Sequence, residues 1–145
     1  MKRSDIKIED RLPHRDRMLL IDEILEVNYD RAVTSATVTD QWPFFDGNAV
    51  ASIVLIEVVA QTAGINNGWV RIQKHGKDSE KRGWLVGIKQ SRFFVDTLAL
   101  NDRIITCVEN QFKYEGYRQI LGTARIGLEI VGEVVLQVIR TEAKD

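Results

Sequence analysis

The sequence predicts an α+β fold in which one long, mostly apolar helix is wrapped by a curved antiparallel sheet. Three observations point there. Residues 49–73 hold no helix breaker before Gly64 and Gly68, and they are apolar at 49–51, 53–56, 58–60 and 63. Everything after Gly83 divides into β-branched and aromatic runs separated by glycine-bearing turns. The 145 residues suit one domain, 1–145, large enough to bury a core without disulfides or metals.

Taken in order, residues 4–11 read as a short exposed helical turn, ended by Pro13 because the residue before proline avoids the helical region. Met18–Val27 is apolar with interspersed acids, Asn28-Tyr29-Asp30 is turn chemistry, and Arg31–Thr39 alternates, so residues 18–39 read as a hairpin. Trp42–Asn48 is an aromatic loop closed by Asp46-Gly47-Asn48. The long helix then starts with Asn48 or Ser52 as N-cap. Apolar residues around its whole circumference predict burial on most sides. Residues 74–83 form a charged surface loop. Five strand candidates follow: Trp84–Lys89, Arg92–Val95, Arg103–Phe112, Tyr117–Glu129 and Glu133–Thr141, with hairpin turns at Tyr114-Glu115-Gly116 and Val131-Gly132-Glu133. A sheet covering one helix leaves edges and apolar faces open, which predicts a dimer.

A formal net charge of −1 removes the electrostatic case for nucleic acid. The longest apolar stretch is interrupted by Glu57, Gln61 and Thr62, so no membrane span is expected. Met1–Asp5 leads into mixed charge rather than an apolar run, so no secretory signal is expected and the cytoplasm is the expected compartment. Two histidines and one cysteine give no metal-ligand spacing. Cys107, inside Ile104–Val108, reads as a buried inert thiol.

The chemistry-bearing feature is a polar pair on the apolar helix. Glu57 and Gln61 are four residues apart and share one face. A carboxylate in an apolar pocket has its pKa raised, which suits general acid or base work. The competing reading is a solvent-facing polar stripe. The helix N-terminus is a second resource, since its free N–H groups polarise a carbonyl placed there. With the helix starting near residue 48, Glu57 falls about two and a half turns in, too far to cap that end. His14 is the other titratable residue of interest, as a base or as a hydrogen-bonded structural residue.

Leu12-Pro13-His14-Arg15-Asp16-Arg17-Met18-Leu19-Leu20-Ile21-Asp22 resembles the opening of the 3-hydroxyacyl-carrier-protein dehydratases. Phe44–Asn48 followed by Leu55-Ile56-Glu57-Val58-Val59-Ala60-Gln61-Thr62-Ala63-Gly64 resembles their aromatic loop and helix, and Val86–Phe93 the strand after it. The similarity covers roughly residues 11–139. It implies a hotdog fold, a homodimer with its central helices side by side, and two pockets at the subunit interface. No cofactor is implied, because the acyl group rides on the phosphopantetheine of an acyl carrier protein or of coenzyme A. In that family a histidine removes the α-proton and an acidic helix residue of the partner subunit protonates the departing hydroxyl. Glu57 matches the acid. The histidine, in a Gly-His-Phe-Pro stretch, has no counterpart, because Phe44-Phe45 run into Asp46-Gly47-Asn48-Ala49-Val50. The shorter loop is more similar to a divergent branch that includes dehydratase-like proteins of aryl-polyene-type clusters.

Three functions follow from these readings. In a dehydratase-like enzyme of fatty acid or polyene-type synthesis, Glu57 is acid, or acid and base, with Asp46 or His14 assisting. In a hotdog thioesterase, Glu57 activates water or attacks the carbonyl, with Gln61 or Asn48. In a non-catalytic acyl-binding half of a heterodimer, a paralogue supplies the histidine. Phe45, Asp46, Gly47, Asn48, Gln61 and His14 are the expected substrate-binding residues, and Glu57 the expected catalytic one. Lys74, Lys77, Lys81 and Arg82 in the charged loop fit an acidic carrier protein, with Asp78 and Glu80 favouring a solvated loop instead.

Overall fold

Alternating strands need a partner face, and the one long helix provides it. A computed structural model describes residues 19–76 and 84–140. Its elements run β1 (Glu23–Val27), β2 (Arg31–Thr37), β3 (Ala49–Ala51), α1 (Val54–His75), β4 (Trp84–Phe93), β5 (Thr97–Ala99), β6 (Arg103–Tyr114), β7 (Tyr117–Ile126) and β8 (Glu129–Arg140). Six strands form one antiparallel sheet in the order β1-β2-β6-β7-β8-β4, and β3 pairs with β5 as a small separate ribbon. One helix packed on a large antiparallel sheet is the hotdog arrangement that the resemblance implied. His14 and residues 77–83 of the charged loop lie outside the described residues.

The core lies between α1 and the inner face of the sheet. Val54, Leu55, Val58, Val59 and Ile65 are fully buried and face a sheet surface that includes Ala36, Ile104, Ile120, Ala124 and Val134. β7 shows why the alternation reads so clearly: Arg118, Ile120, Gly122 and Ala124 are buried while the residues between them are half-buried. Two glycines let the helix come close. A Cβ on Gly122 would collide with the side chain of Val59, and one on Gly132 would lie 2.8 Å from Leu55 Cδ1.

The hairpins at Asn28–Asp30 and Tyr114–Gly116 fall where expected. Three expectations need correction. The helix starts at Val54, with Ile53 as its N-cap and no side-chain cap, so neither Asn48 nor Ser52 caps it. Residues 49–51 form β3 instead, because they pair with Ala99, Leu98 and Thr97 of β5, a strand with no signal of its own in the sequence. The last hairpin turns at Gly127-Leu128, where Ile126 pairs with Glu129 and Gly127 takes a φ of 61°. Gly132 is instead a strand residue under Leu55. Residues 84–93 are one strand, with a bulge between Ile88 and Gln90 where two strands were expected.

Candidate active site

Because α1 begins at Val54, Glu57 lies in the first helical turn rather than two and a half turns in. Its side chain is half-buried. One turn further on, Gln61 is fully buried, and its amide Nε2 donates to Glu57 Oε2 at 3.0 Å. Gln61 Oε1 accepts the backbone N–H of Leu20 at 2.9 Å, across 41 residues of sequence. The polar pair seen in the sequence is therefore a hydrogen-bonded pair anchored to the segment that leads into β1.

The helix start is partly occupied by its own chain. Leu55 N–H donates to Ser52 O and Ile56 N–H to Ile53 O, while Ser52 N–H donates to Asp96 O and Ala51 N–H to Phe44 O. Among the described residues, those of Ile53 and Val54 are not taken up by these turns; Ile53 is exposed and Val54 fully buried.

The aromatic loop sits before β3, not at the helix start. Phe45 is half-buried, packs against the core and bridges to Val50. Asp46 Oδ1 accepts the N–H groups of Asn48 and Ala49, each at 2.9 Å, and Asp46 N–H donates to Ala49 O. The Ala49 and Asn48 amides beside it hold the Asp46 carboxyl below its ordinary value. A carboxylate committed in this way is a weaker proton acceptor, so the loop's chemistry is that of a stabilised turn. Gly47 has a φ of 101° and, like Asn48, is exposed. The sequence reasoning missed Leu20, which carries no chemical signal, being a backbone donor within the opening motif. Phe44, an aromatic of the loop, is 56 % exposed at a φ of 66°.

Beneath the pair, α1 carries further buried polar side chains into the sheet. Thr62 Oγ1 donates to Val58 O at 2.8 Å and meets Thr34 Oγ1 at 2.9 Å. Asn66 Nδ2 donates to Asn28 O at 2.7 Å. These bonds tie the helix to β2 and to the β1–β2 turn. Cys107, expected to be buried, lies half-buried on β6, and burial pushes its thiol up. Among the described residues, no group of histidine, cysteine and acidic side chains is arranged to hold a metal, and no helix is long and apolar enough to cross a membrane.

Known proteins share this arrangement. Among solved structures, the dehydratase heterocomplex ApeI:P from Xenorhabdus doucetiae superposes with a TM-score of 0.82 at 18% identity, covering 94% of this chain and 92% of the other. A hypothetical thioesterase from Streptococcus pneumoniae TIGR4, solved with coenzyme A, gives a TM-score of 0.60 at 12% identity, covering 85% and 88%. By sequence, the 3-hydroxyacyl-[acyl-carrier-protein] dehydratase FabZ of Streptococcus uberis is 43% identical over 67 residues, 42% of this chain and 48% of that protein. The chain thus spans about half the length of the curated relatives it matches. A family model described as ApeP-like, ApeP dehydratase, matches residues 6–145. With nearly all of its length covered by that model, the chain belongs to the ApeP-like dehydratase family.

Proposed function

We propose that this chain takes part in dehydrating 3-hydroxyacyl thioesters borne on phosphopantetheine, with Glu57 giving a proton to the departing hydroxyl. The observation that carries this reading is the Glu57 carboxyl, half-buried in the first turn of α1 and held by Gln61. In the reaction a base takes the α-proton and the C–H electron pair becomes the new double bond. The C–O bond at the β-carbon breaks, and the hydroxyl leaves as water with the proton from Glu57. The N–H of Ile53, an exposed residue at the helix start, suits the thioester carbonyl, on which negative charge builds as the α-proton leaves. No histidine lies between residues 15 and 74, and the Asp46 carboxylate is engaged by its own turn, so the loop is a poor source of the base. His14 is the candidate within the chain, and a histidine of a partner subunit is the other.

The edge strand β4 supports an assembly of two chains. Among the described residues it pairs with β8 on one side only. Val86 and Ile88 lie opposite Val138 and Leu136, whose side chains are buried on the helix-facing side of the sheet. Residues directly opposite in an antiparallel pair point the same way. Val86 and Ile88 therefore belong to the helix-facing surface, yet they are 57% and 52% exposed. A second subunit pairing at this edge covers them. That the solved ApeI:P neighbour is a heterocomplex favours a paralogue as one form of that subunit.

The test is to incubate the protein, wild type and Glu57→Gln, alone and co-purified with a paralogue, with 3-hydroxyacyl thioesters of acyl carrier protein and of coenzyme A. Products are read by mass spectrometry. Loss of water that depends on Glu57 is the expected result, and the variant should lose at least about a hundredfold in turnover. Turnover only with the paralogue assigns this chain the acid half of a shared site. Release of free acid and thiol overturns the proposal in favour of a thioesterase.

A further inference from the structure

Gln61 is a tightly constrained polar side chain at the site. It is fully buried, so no substrate reaches it within the protomer. Its amide binds in two directions, accepting from Leu20 N–H at 2.9 Å and donating to Glu57 Oε2 at 3.0 Å. The orientation of that amide is not arbitrary. A backbone N–H can only donate, so Oε1 must face Leu20, which turns Nε2 toward the carboxylate. The Leu20 end is itself fixed. Leu20 and Ile21 are buried, Asp22 N–H donates to Ser35 O at 2.9 Å, and Asp22 Oδ2 accepts Thr37 N–H at 2.7 Å.

A glutamate side chain rotates about several bonds, and an acid must sit within hydrogen-bond reach of the group it protonates. A donor fixed by the segment before β1 removes much of that freedom. We infer that Gln61 is a positioning residue, which carries the docked position of the Leu20–Asp22 segment to the Glu57 carboxylate and does not itself contact substrate. This role rests on the reading of Glu57 as the acid.

Two variants separate the two halves of the clamp. In Gln61→Glu, assayed above the raised pKa that burial beside Glu57 gives the new carboxyl, an ionised carboxylate still accepts from Leu20 but cannot donate to Glu57. In Gln61→Met both bonds go. Each is assayed for water loss and solved by crystallography, and the Leu20 amide is followed by hydrogen exchange. Both variants should lose about tenfold or more in kcat, with KM changed by less than about twofold. In both, Glu57 should leave its wild-type rotamer. The Leu20 amide should stay protected in Gln61→Glu and exchange faster in Gln61→Met. Wild-type kcat in Gln61→Glu, or Glu57 ordered in its original rotamer in both variants, overturns the inference. If Gln61→Met does not fold, Gln61→Glu decides alone. If the wild-type protein turns over no thioester, with or without a paralogue, the acid reading fails, and the Glu57 rotamer in the variants still decides whether Gln61 positions it.

Discussion

Asp46 is fully exposed, yet its carboxyl is held below the ordinary value because two backbone N–H groups donate to the ionised form. The sign of the effect on stability follows from linkage. A group whose pKa is lowered on folding supports the folded loop at any pH above its unfolded value and loses that support as pH falls through the folded value. The turn at residues 46–49 should therefore hold unchanged through neutral and mildly acidic pH and loosen only in strong acid. Exchange of the Asn48 and Ala49 amides, followed against pH, should show this. Asp46→Ala should accelerate both amides at neutral pH, while Asp46→Asn, which keeps an acceptor oxygen, should not.

At the scale of the element, the helix and sheet are held at a spacing that only glycine permits. Gly122 faces both branches of Val59, whose χ1 has little freedom in a helix. Gly132 faces the far end of Leu55, which can swing aside. Gly122→Ala should therefore cost more stability than Gly132→Ala, about 1–3 kcal/mol against a smaller loss. Adding Val59→Ala to Gly122→Ala should recover part of the cost. Chemical denaturation of the wild type, Gly122→Ala, Val59→Ala and the double variant, read as a double-mutant cycle, checks the coupling; strictly additive losses would place the strain elsewhere.

At the scale of the whole molecule, β4 is one of the two edge strands of the large sheet among the described residues, with Val86 and Ile88 on the side that elsewhere packs against α1. Two lysines there place charge against the apolar surface a second chain would cover. The Val86→Lys/Ile88→Lys protein should run as a monomer in light scattering while the wild type runs as a dimer. Its protomer core should survive, because both side chains are already more than half exposed in the single chain. A variant that remains dimeric would put the interface on another surface.

Much of this architecture is local and could be read from residue order. The 2.0 and 3.6 periods are short-range properties of the chain, so the β1–β2 and β6–β7 hairpins and the buried helix were legible. The Glu57–Gln61 pair was legible too, because residues four apart on a helix share a face. Tertiary structure decided the rest. Ala49-Val50-Ala51 fits a helix or a strand equally well, and it is pairing with β5, about fifty residues away, that moves the helix start to Val54. That shift alone brings Glu57 to the positive end of the helix. Gly127 and Gly132 offer similar turns, and only the approach of Leu55 makes the second a strand residue. The bond from Leu20 to Gln61 spans 41 residues between a backbone group and an amide. No sequence pattern marks such a pair, because a backbone N–H is the same at every position and only the fold chooses which one the side chain meets.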